Sequence, residues 1–331
     1  MKKTTCPSRR RFSHRLLLSG LAFAAVATGV TSALEVPYDY HVELTPENAV
    51  LGCFPAAKKP VLTVKSGATV RIDGGGVVAG GGRPGAPDPA DPVATTNKFL
   101  KDNNIDLTVE QSPALQQTLR VRKETVRMPG IAGGHLLVGP IYVEGAEAGD
   151  SLEVRILDVT PRIPFGTTGG SPGRGGLALG STIGVMTTPG DTGPATTDRP
   201  APDAPRPFSK VTHLDLKRNA GVFDHNIEVP LAPFMGVMAT CPADSEGPNR
   251  NSTAPGNFGG NLDCKELVAG STLYLPVFQK GALFYTGDSH AVQGDGEVTG
   301  TAIETADVCT LQFILHKGKT LAMPRAETPT D

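Results

Sequence analysis

The sequence contains no tryptophan, and aromatic residues make up only 5% of its 331 residues. Charged residues are also few, at 19%, and a formal net charge of −2 provides no basic surface for a nucleic acid. By contrast, glycine (40 residues) and proline (29 residues) are abundant. Frequent turns are therefore expected, and the composition favours a mainly β fold of sandwich-like β-modules with few helices.

The sequence gives little support for a serine nucleophile or for a thiolate zinc site. Gly287-Asp288-Ser289-His290 matches the Gly-Asp-Ser of one esterase family only superficially. That esterase nucleophile lies near the start of its domain, whereas this serine lies near the end, which disfavours a serine mechanism. The C-x-x-C spacing of thiolate zinc sites is also absent, and three pairings stay open for the four cysteines that follow the N-terminal segment, which are Cys53, Cys241, Cys264 and Cys309.

Residues 1–33 are predicted to be a signal peptide. A basic segment precedes the apolar stretch from Leu16 to Val30, and Ser8-Arg9-Arg10-Arg11-Phe12 fits a twin-arginine export signal. We expect cleavage after Ala33, which removes six basic and no acidic residues and changes the net charge from −2 to −8. The protein is therefore expected to be periplasmic or secreted. An exported protein that still carries residues 1–33 on N-terminal sequencing would contradict this prediction.

One local pattern occurs three times after the signal peptide. Residues 60–72, 148–156 and 268–275 each place a turn glycine before alternating apolar and polar residues. This alternation is typical of a strand with one buried face, and the irregular spacing of the three units excludes a solenoid. We therefore expect related β-modules in an N-terminal half, residues 34–205, and a C-terminal half, residues 206–331, that together form one catalytic unit.

Two further segments differ from the strand pattern. Residues 95–124 are the best helical candidate, with Pro113 limiting the continuity of the helix. Residues 73–92 are predicted to be a loop, including glycine clusters that lack the strand-to-helix context of a dinucleotide site. Residues 166–207 are rich in Gly, Pro, Thr and Asp and are predicted to form a long surface or lid segment.

Asp288 and His290 are two positions apart, so in an extended chain both side chains emerge on one face. Such a pair can bind a metal or act as an acid–base pair, although an Asp-x-His in an arbitrary sequence is usually a surface feature. His213 and Asp215 have the same spacing in an alternating segment. We interpret them as a solvated strand face and as a reserve ligand pair.

Five longer stretches appear in the order found in one enzyme family. Together they identify the chain as similar to the acetamidase/formamidase family over roughly residues 41–312. The stretches run from Gly139 to Asp150 (GPIYVEGAEAGD), from Pro233 to Met238 (PFMGVM), from Pro255 to Asp263 (PGNFGGNLD), from Leu267 to Val277 (LVAGSTLYLPV) and from Gly287 to Glu297 (GDSHAVQGDGE).

The resemblance implies hydrolysis of a small linear amide to a carboxylate and ammonia. It brings His135, Asp288 and His290 together as metal ligands, with zinc preferred and manganese or calcium suited to an oxygen-rich set. Glu144 is expected to be the general base. Asp263 is a second catalytic residue and a possible ligand. The substrate-binding residues are then Asn261 and Gln293.

The expected partners are a small amide substrate and further copies of the same chain. No nucleic acid is expected, and no membrane after signal cleavage. The competing hypothesis is an exported, non-catalytic binding protein on the same scaffold. Retention of His135, Glu144, Asp263, Asp288 and His290 argues against that hypothesis, because a scaffold without turnover need not keep every polar group.

Overall fold

The computed structural model describes residues 36–76, 90–170 and 208–329, so the predicted signal peptide lies outside the described residues. Within these ranges the protein is built mainly from strands. The strands are β1 (Tyr40–Val42), β2 (Ala49–Leu51), β3 (Cys53–Pro55), β4 (Leu62–Val64), β5 (Thr69–Asp73), β6 (Leu136–Val143), β7 (Ser151–Pro161), β8 (Phe165–Gly170), β9 (Phe208–Asp215), β10 (Ala220–Asp224), β11 (Ile227–Pro230), β12 (Phe234–Ala239), β13 (Asn249–Asn251), β14 (Gly259–Asn261), β15 (Thr272–Pro276), β16 (Phe284–Val292), β17 (Ile303–Glu304), β18 (Asp307–His316) and β19 (Arg325–Glu327).

The strands form two large sheets and a small one. The six-stranded sheet has the order β1-β5-β18-β7-β15-β19. The eleven-stranded sheet follows β11-β10-β9-β8-β17-β16-β12-β14, with β6 pairing to β16, β2 and β4, and β13 pairs with β3 separately. Strands from both predicted halves share each large sheet, since β18 pairs with β7 and β16 pairs with β6.

The main core lies between the two large sheets, which confirms the mainly β, sandwich-like prediction. Alternate residues of β18, among them Leu311 and Phe313, pack there with Met235 and Met238 of β12 and Phe284 of β16. A second cluster covers the other face of β12 and β16 and includes residues of β3. The inter-sheet core therefore supports the strands that carry the candidate site residues.

The predicted helical segment forms two helices rather than one. Helix α1 spans Pro92–Asp102, and α2 spans Pro113–Glu124. Pro113 occupies the first turn of α2, where it needs no hydrogen-bond donor, and the Ser112 side chain accepts from the Leu115 N–H as an N-cap. Neither helix is long and apolar enough to cross a membrane, and no other helix of the described residues is either.

The three repeated units all contain strands, and their turn glycines Gly67, Gly149 and Gly270 have φ of 96°, 95° and 94°. These angles are left-handed, which explains why each turn contains glycine. The last two units pair directly, as β15 with β7. In the first unit, β4 and β5 enter different sheets. The prediction of a lid from residue 166 is wrong at its start, because residues 166–170 belong to β8, and residues 171–207 lie outside the described residues.

The four cysteines described are free thiols. Cys53, Cys241 and Cys309 are buried, and Cys264 is partly exposed. Burial raises the pKa of the Cys53 thiol to about 11 and that of Cys241 to about 12, so neither is a thiolate at neutral pH.

Asp150, the last residue of the first family stretch, connects the β6–β7 turn to the C-terminal segment. Its buried carboxylate accepts hydrogen bonds from the Glu147 and Gly318 backbone N–H groups and from Lys317 Nζ, at 2.8, 2.8 and 2.6 Å. Burial opposes ionisation, but the Lys317 hydrogen bond and the two backbone bonds hold the pKa of Asp150 below its usual value. Asp150 therefore has a structural role.

Asp150→Asn should lower the free energy of unfolding at pH 7 by about 1–2 kcal/mol, because a charge-assisted acceptor is lost. A depressed folded-state pKa stabilises the protein above the unfolded pKa of about 3.9 and loses that contribution as the pH falls through the folded value. The difference between the variant and wild type should thus shrink below about pH 4. Denaturant unfolding at pH 7 and pH 3 measures it, with the exposed Asp102→Asn as control. A difference in the free energy of unfolding that is the same at pH 7 and pH 3 would contradict the structural role of the Asp150 carboxylate.

Candidate functional site

The candidate site is centred on β16, where Asp288 and His290 lie side by side. Asp288 has a left-handed backbone, with φ of 61°, and it interrupts the pairing of β16 with β12 between the pairs Gly287–Val237 and Ser289–Met235. The interruption leaves Asp288 opposite Gly236. Asp288 and His290 emerge on the same side, as their two-residue spacing predicts. Their closest polar atoms, Asp288 Oδ2 and His290 Nε2, are 3.4 Å apart.

The imidazole of His290 is fully buried between carboxylates. Its Nε2 is also 3.4 Å from Glu304 Oε2, and neither ring nitrogen has a hydrogen-bond partner in the structure. The Phe234 ring packs edge-on against the imidazole, at 4.9 Å between centroids, and limits its movement. A separation of 3.4 Å is too long for a good hydrogen bond. It matches the spacing of about 3.3 Å between donors that share a four-coordinate ion with bonds of roughly 2.0 Å.

Asp263 approaches the same point from the turn after β14. Its φ is 44°, and the backbone N–H groups of Leu262 and Asp263 both donate to Gly236 O. The carboxylate Oδ1 is buried and has no hydrogen-bond partner. Asp263, Asp288 and His290 each place one donor atom within 4.8 Å of the others. Two carboxylates and an imidazole, with Asp263 Oδ1 and the His290 ring nitrogens buried and unpartnered, have the donor chemistry that fits a divalent cation.

Gly236 forms the floor of this cluster. A Cβ at this position would lie 2.6 Å from Asp263 Oδ1, 2.7 Å from Asp288 Oδ2 and 2.8 Å from His290 Cε1. All three distances are shorter than real Cβ contacts allow. Glycine is thus required for the three side chains to converge, although its φ is ordinary.

Two glutamates for which the sequence predicted no role, Glu304 and Glu297, also belong to the cluster. Glu304 of β17 lies opposite His290 in the strand pairing. Glu297 lies in a short 3-10 turn, Asp295–Glu297, with φ of 43°. His290, Glu297 and Glu304 form a second set of donor atoms within 4.8 Å of one another. The only sequence indication that Glu297 belongs to the site is its position at the end of the last family stretch. No sequence pattern indicated a role for Glu304.

The ionisation of the cluster reflects burial and crowded negative charge. Burial raises the pKa of Asp263 to about 6, with a further contribution from Asp288, and burial and the Asp263 charge raise the pKa of Glu297 to about 8. Asp288 differs: burial opposes its ionisation, but His290 and His135 lower its pKa to about 2. For His290, burial opposes protonation, but Glu304 and Asp288 raise its pKa well above the usual value. The cluster thus attracts positive charge.

Asn261 and Gln293 lie next to Asp263 and present oxygen atoms. Gln293 Nε2 donates to Asp263 O at 2.6 Å, and Asn261 Nδ2 donates to Thr253 O at 3.2 Å. Because backbone carbonyls only accept, the other end of each side chain must be its oxygen. Both oxygens are buried without a hydrogen-bond partner. They can accept hydrogen bonds from an N–H donor such as an amide nitrogen.

His135 lies at the edge of the cluster, immediately before β6. Its Nε2 is 3.8 Å from Asp288 Oδ2, and its ring is about one quarter exposed. Neither donor set within 4.8 Å includes His135. The structure therefore brings His135, Asp263, Asp288, His290, Asn261 and Gln293 to one region, with His135 outside both donor sets.

Glu144 and the reserve pair do not join this region. Glu144 is exposed at the turn after β6, and the eight-residue strand between Glu144 and His135 spans up to about 26 Å. The predicted convergence of Glu144 with the other residues is thus wrong, because the two ends of one strand cannot meet. His213 is exposed on β9, and Asp215 Oδ1 accepts from the Lys217 and Arg218 backbone N–H groups, which fits the solvated strand face.

Comparison with known proteins points to one family. The acetamidase/formamidase family model matches residues 100–253 and 246–329. The acetamidase of Mycolicibacterium smegmatis is 31% identical over 230 residues, covering 58% of this chain and 56% of that protein. The formamidase of Methylophilus methylotrophus is 32% identical over 215 residues, covering 55% and 52%. The chain thus spans about half the length of these curated relatives.

Solved structures have the same fold. The acetamidase of Yersinia enterocolitica matches with a TM-score of 0.60 and 26% identity, covering 89% of this chain and 73% of that one. The acetamidase of Bacillus halodurans matches with a TM-score of 0.57 and 26% identity, covering 87% and 75%.

Gly236→Ala should lower the affinity for Zn²⁺ by at least about tenfold, because the added methyl group displaces the donor atoms around it. Titration calorimetry measures the affinity, and thermal unfolding checks that the fold is retained. Gly294→Ala is the matched control, since its φ is −82° and a Cβ there meets nothing within 4 Å. Equal Zn²⁺ affinity in both variants would show that Gly236 does not face a cation site.

Proposed function

Because the chain belongs to the acetamidase/formamidase family, we propose that it hydrolyses the C–N bond of a small linear amide such as formamide or acetamide. The observation that carries this proposal is the convergence of Asp263, Asp288 and His290 on Gly236, where Asp263 Oδ1 and both ring nitrogens of His290 are buried without a hydrogen-bond partner. Amide hydrolysis needs an activated water, a stabilised carbonyl oxygen and a proton for the departing nitrogen. This set of side chains has the chemistry to provide all three.

A divalent metal, with zinc as the first candidate, would be held by Asp288 and His290 with His135 or Glu304 as a third ligand. When bound, such an ion polarises a carbonyl group and lowers the pKa of water. The neighbouring carboxylates Asp263 and Glu297 make the set rich in oxygen, which keeps manganese and calcium as alternatives.

Asp263 takes over the role of base that the sequence assigned to Glu144. Its Oδ1 is unpartnered beside Asp288, so it is placed to accept the proton of the attacking water and to return it to the nitrogen. Asn261 and Gln293 receive the amide N–H groups through their free oxygens. Overall, water and the amide give a carboxylate and ammonium.

The test of function is ammonia release from a panel of formamide, acetamide and longer amides, with and without chelator. We expect release that chelation abolishes and added Zn²⁺ restores. Amide binding without ammonia release would instead support the non-catalytic exported binding protein. Ammonia release that is unaffected by complete metal removal would support amide hydrolysis and reject the role of a metal.

The two candidate general bases, Asp263 and Glu144, lead to opposite expectations for their variants. Asp263→Asn keeps size and polarity but cannot take a proton, so kcat for formamide should fall by roughly 10²–10⁴. Glu144→Gln should leave kcat near the wild-type value, because Glu144 is exposed away from the cluster. Steady-state ammonia release measures both. A large loss in Glu144→Gln with a normal Asp263→Asn would restore Glu144 as the base.

A further inference from the structure

Ser252 is a fully buried serine directly after β13, and its hydroxyl contacts His135 twice. The hydroxyl oxygen accepts the His135 backbone N–H at 3.0 Å and lies 3.1 Å from the ring Nδ1. The Ser252 N–H donates to Gly52 O at 2.9 Å, and the Gly52 N–H donates to His135 O at 2.8 Å. Three distant segments of the chain are thus joined around one histidine.

The packing around this contact leaves little room for movement. Gly52 and Gly134 have φ of 86° and 92°, and a Cβ on Gly134 would lie 2.6 Å from both Ser252 Oγ and Gly52 Cα. The two backbones therefore touch, and the serine hydroxyl is confined against them. The packing holds Ser252 in place, so its hydroxyl restrains the His135 ring at Nδ1.

We infer that Ser252 is the positioning residue of His135. Its hydroxyl holds Nδ1 and thereby directs Nε2 toward Asp288 Oδ2, at 3.8 Å. The group bound to one ring nitrogen sets the tautomer and orientation of a histidine, and so decides what the other nitrogen can do. This inference depends on the proposed function only for the consequence in catalysis, because the orientation of His135 is measurable by itself.

The functional test compares two buried serines. Ser252→Ala removes the hydroxyl, and Ser252→Cys replaces it with a larger group that hydrogen-bonds only weakly. Ser271→Ala and Ser271→Cys are the matched controls, because Ser271 is also buried and its hydroxyl donates to Glu266 O at 2.7 Å, outside the candidate cluster. We expect kcat/KM for formamide to fall about 10–100-fold in the two Ser252 variants only. The midpoint temperature of thermal unfolding should shift similarly in the Ser252 and Ser271 variants.

The structural test follows the imidazole nitrogens of His135 by ¹⁵N NMR in the full protein, with the His135→Asn spectrum identifying the signals. Wild type should show one dominant tautomer, and the Ser252 variants should show averaged or shifted Nδ1 and Nε2 signals. Unchanged His135 signals in Ser252→Cys, or losses of activity that merely follow stability at both serine positions, would overturn the inference. Absence of ammonia release by wild type would instead reject the proposed function, and the NMR result would still decide the role of Ser252.

Discussion

The enclosure of His290 between carboxylates is the constraint on which the rest of the site depends. A buried imidazole 3.4 Å from both Asp288 and Glu304, without a directed hydrogen bond to either, is costly to desolvate. Asp263 and Glu297 add two more carboxyl groups nearby, and burial together with the crowded charge raises their pKa values to about 6 and about 8. Such a cluster is stable only when a cation or bound protons balance the charge. The fold therefore holds together groups that would otherwise separate, which is the property expected of a preorganised site.

Backbone strain coincides with these residues. Asp263, Asp288 and Glu297 all have φ between 43° and 61°, in a region that non-glycine residues seldom occupy. The left-handed backbone directs the Asp263 and Asp288 side chains toward Gly236, and Glu297 lies in the second donor set with His290 and Glu304. The inter-sheet core beneath β12 and β16 supplies the packing energy that tolerates this cost.

The periodicity of the sequence predicted the structural features that depend only on residues close together in the chain. It predicted the strands after Gly149 and Gly270 from the two-residue repeat of an extended chain. It also predicted that Asp288 and His290 share a face, although the backbone of Asp288 is left-handed rather than extended. It could not show that residues 166–170 continue as a strand, because the glycine-rich composition there resembles a loop. Glu304 reaches the site only through pairing between β17 and β16, and no local pattern reveals such a pairing.

The prediction that Glu144 lies in the site was wrong for the opposite reason. The family resemblance suggested that Glu144 and His135 belong to one site, although the eight residues of β6 separate them.

The share of the relatives that this chain matches bears on where the proposed chemistry resides. Only 56% of the Mycolicibacterium acetamidase is covered, yet the family model matches residues 100–253 and 246–329. Those two segments contain every residue of the cluster: His135, Gly236, Ser252, Asn261, Asp263, Asp288, His290, Gln293, Glu297 and Glu304. They also contain β6, β12, β16 and β17, whose mutual pairing brings these side chains together. The cluster also depends on residues before the matched segments, because β6 pairs with β2 and β4, and Gly52 is hydrogen-bonded to His135 and Ser252.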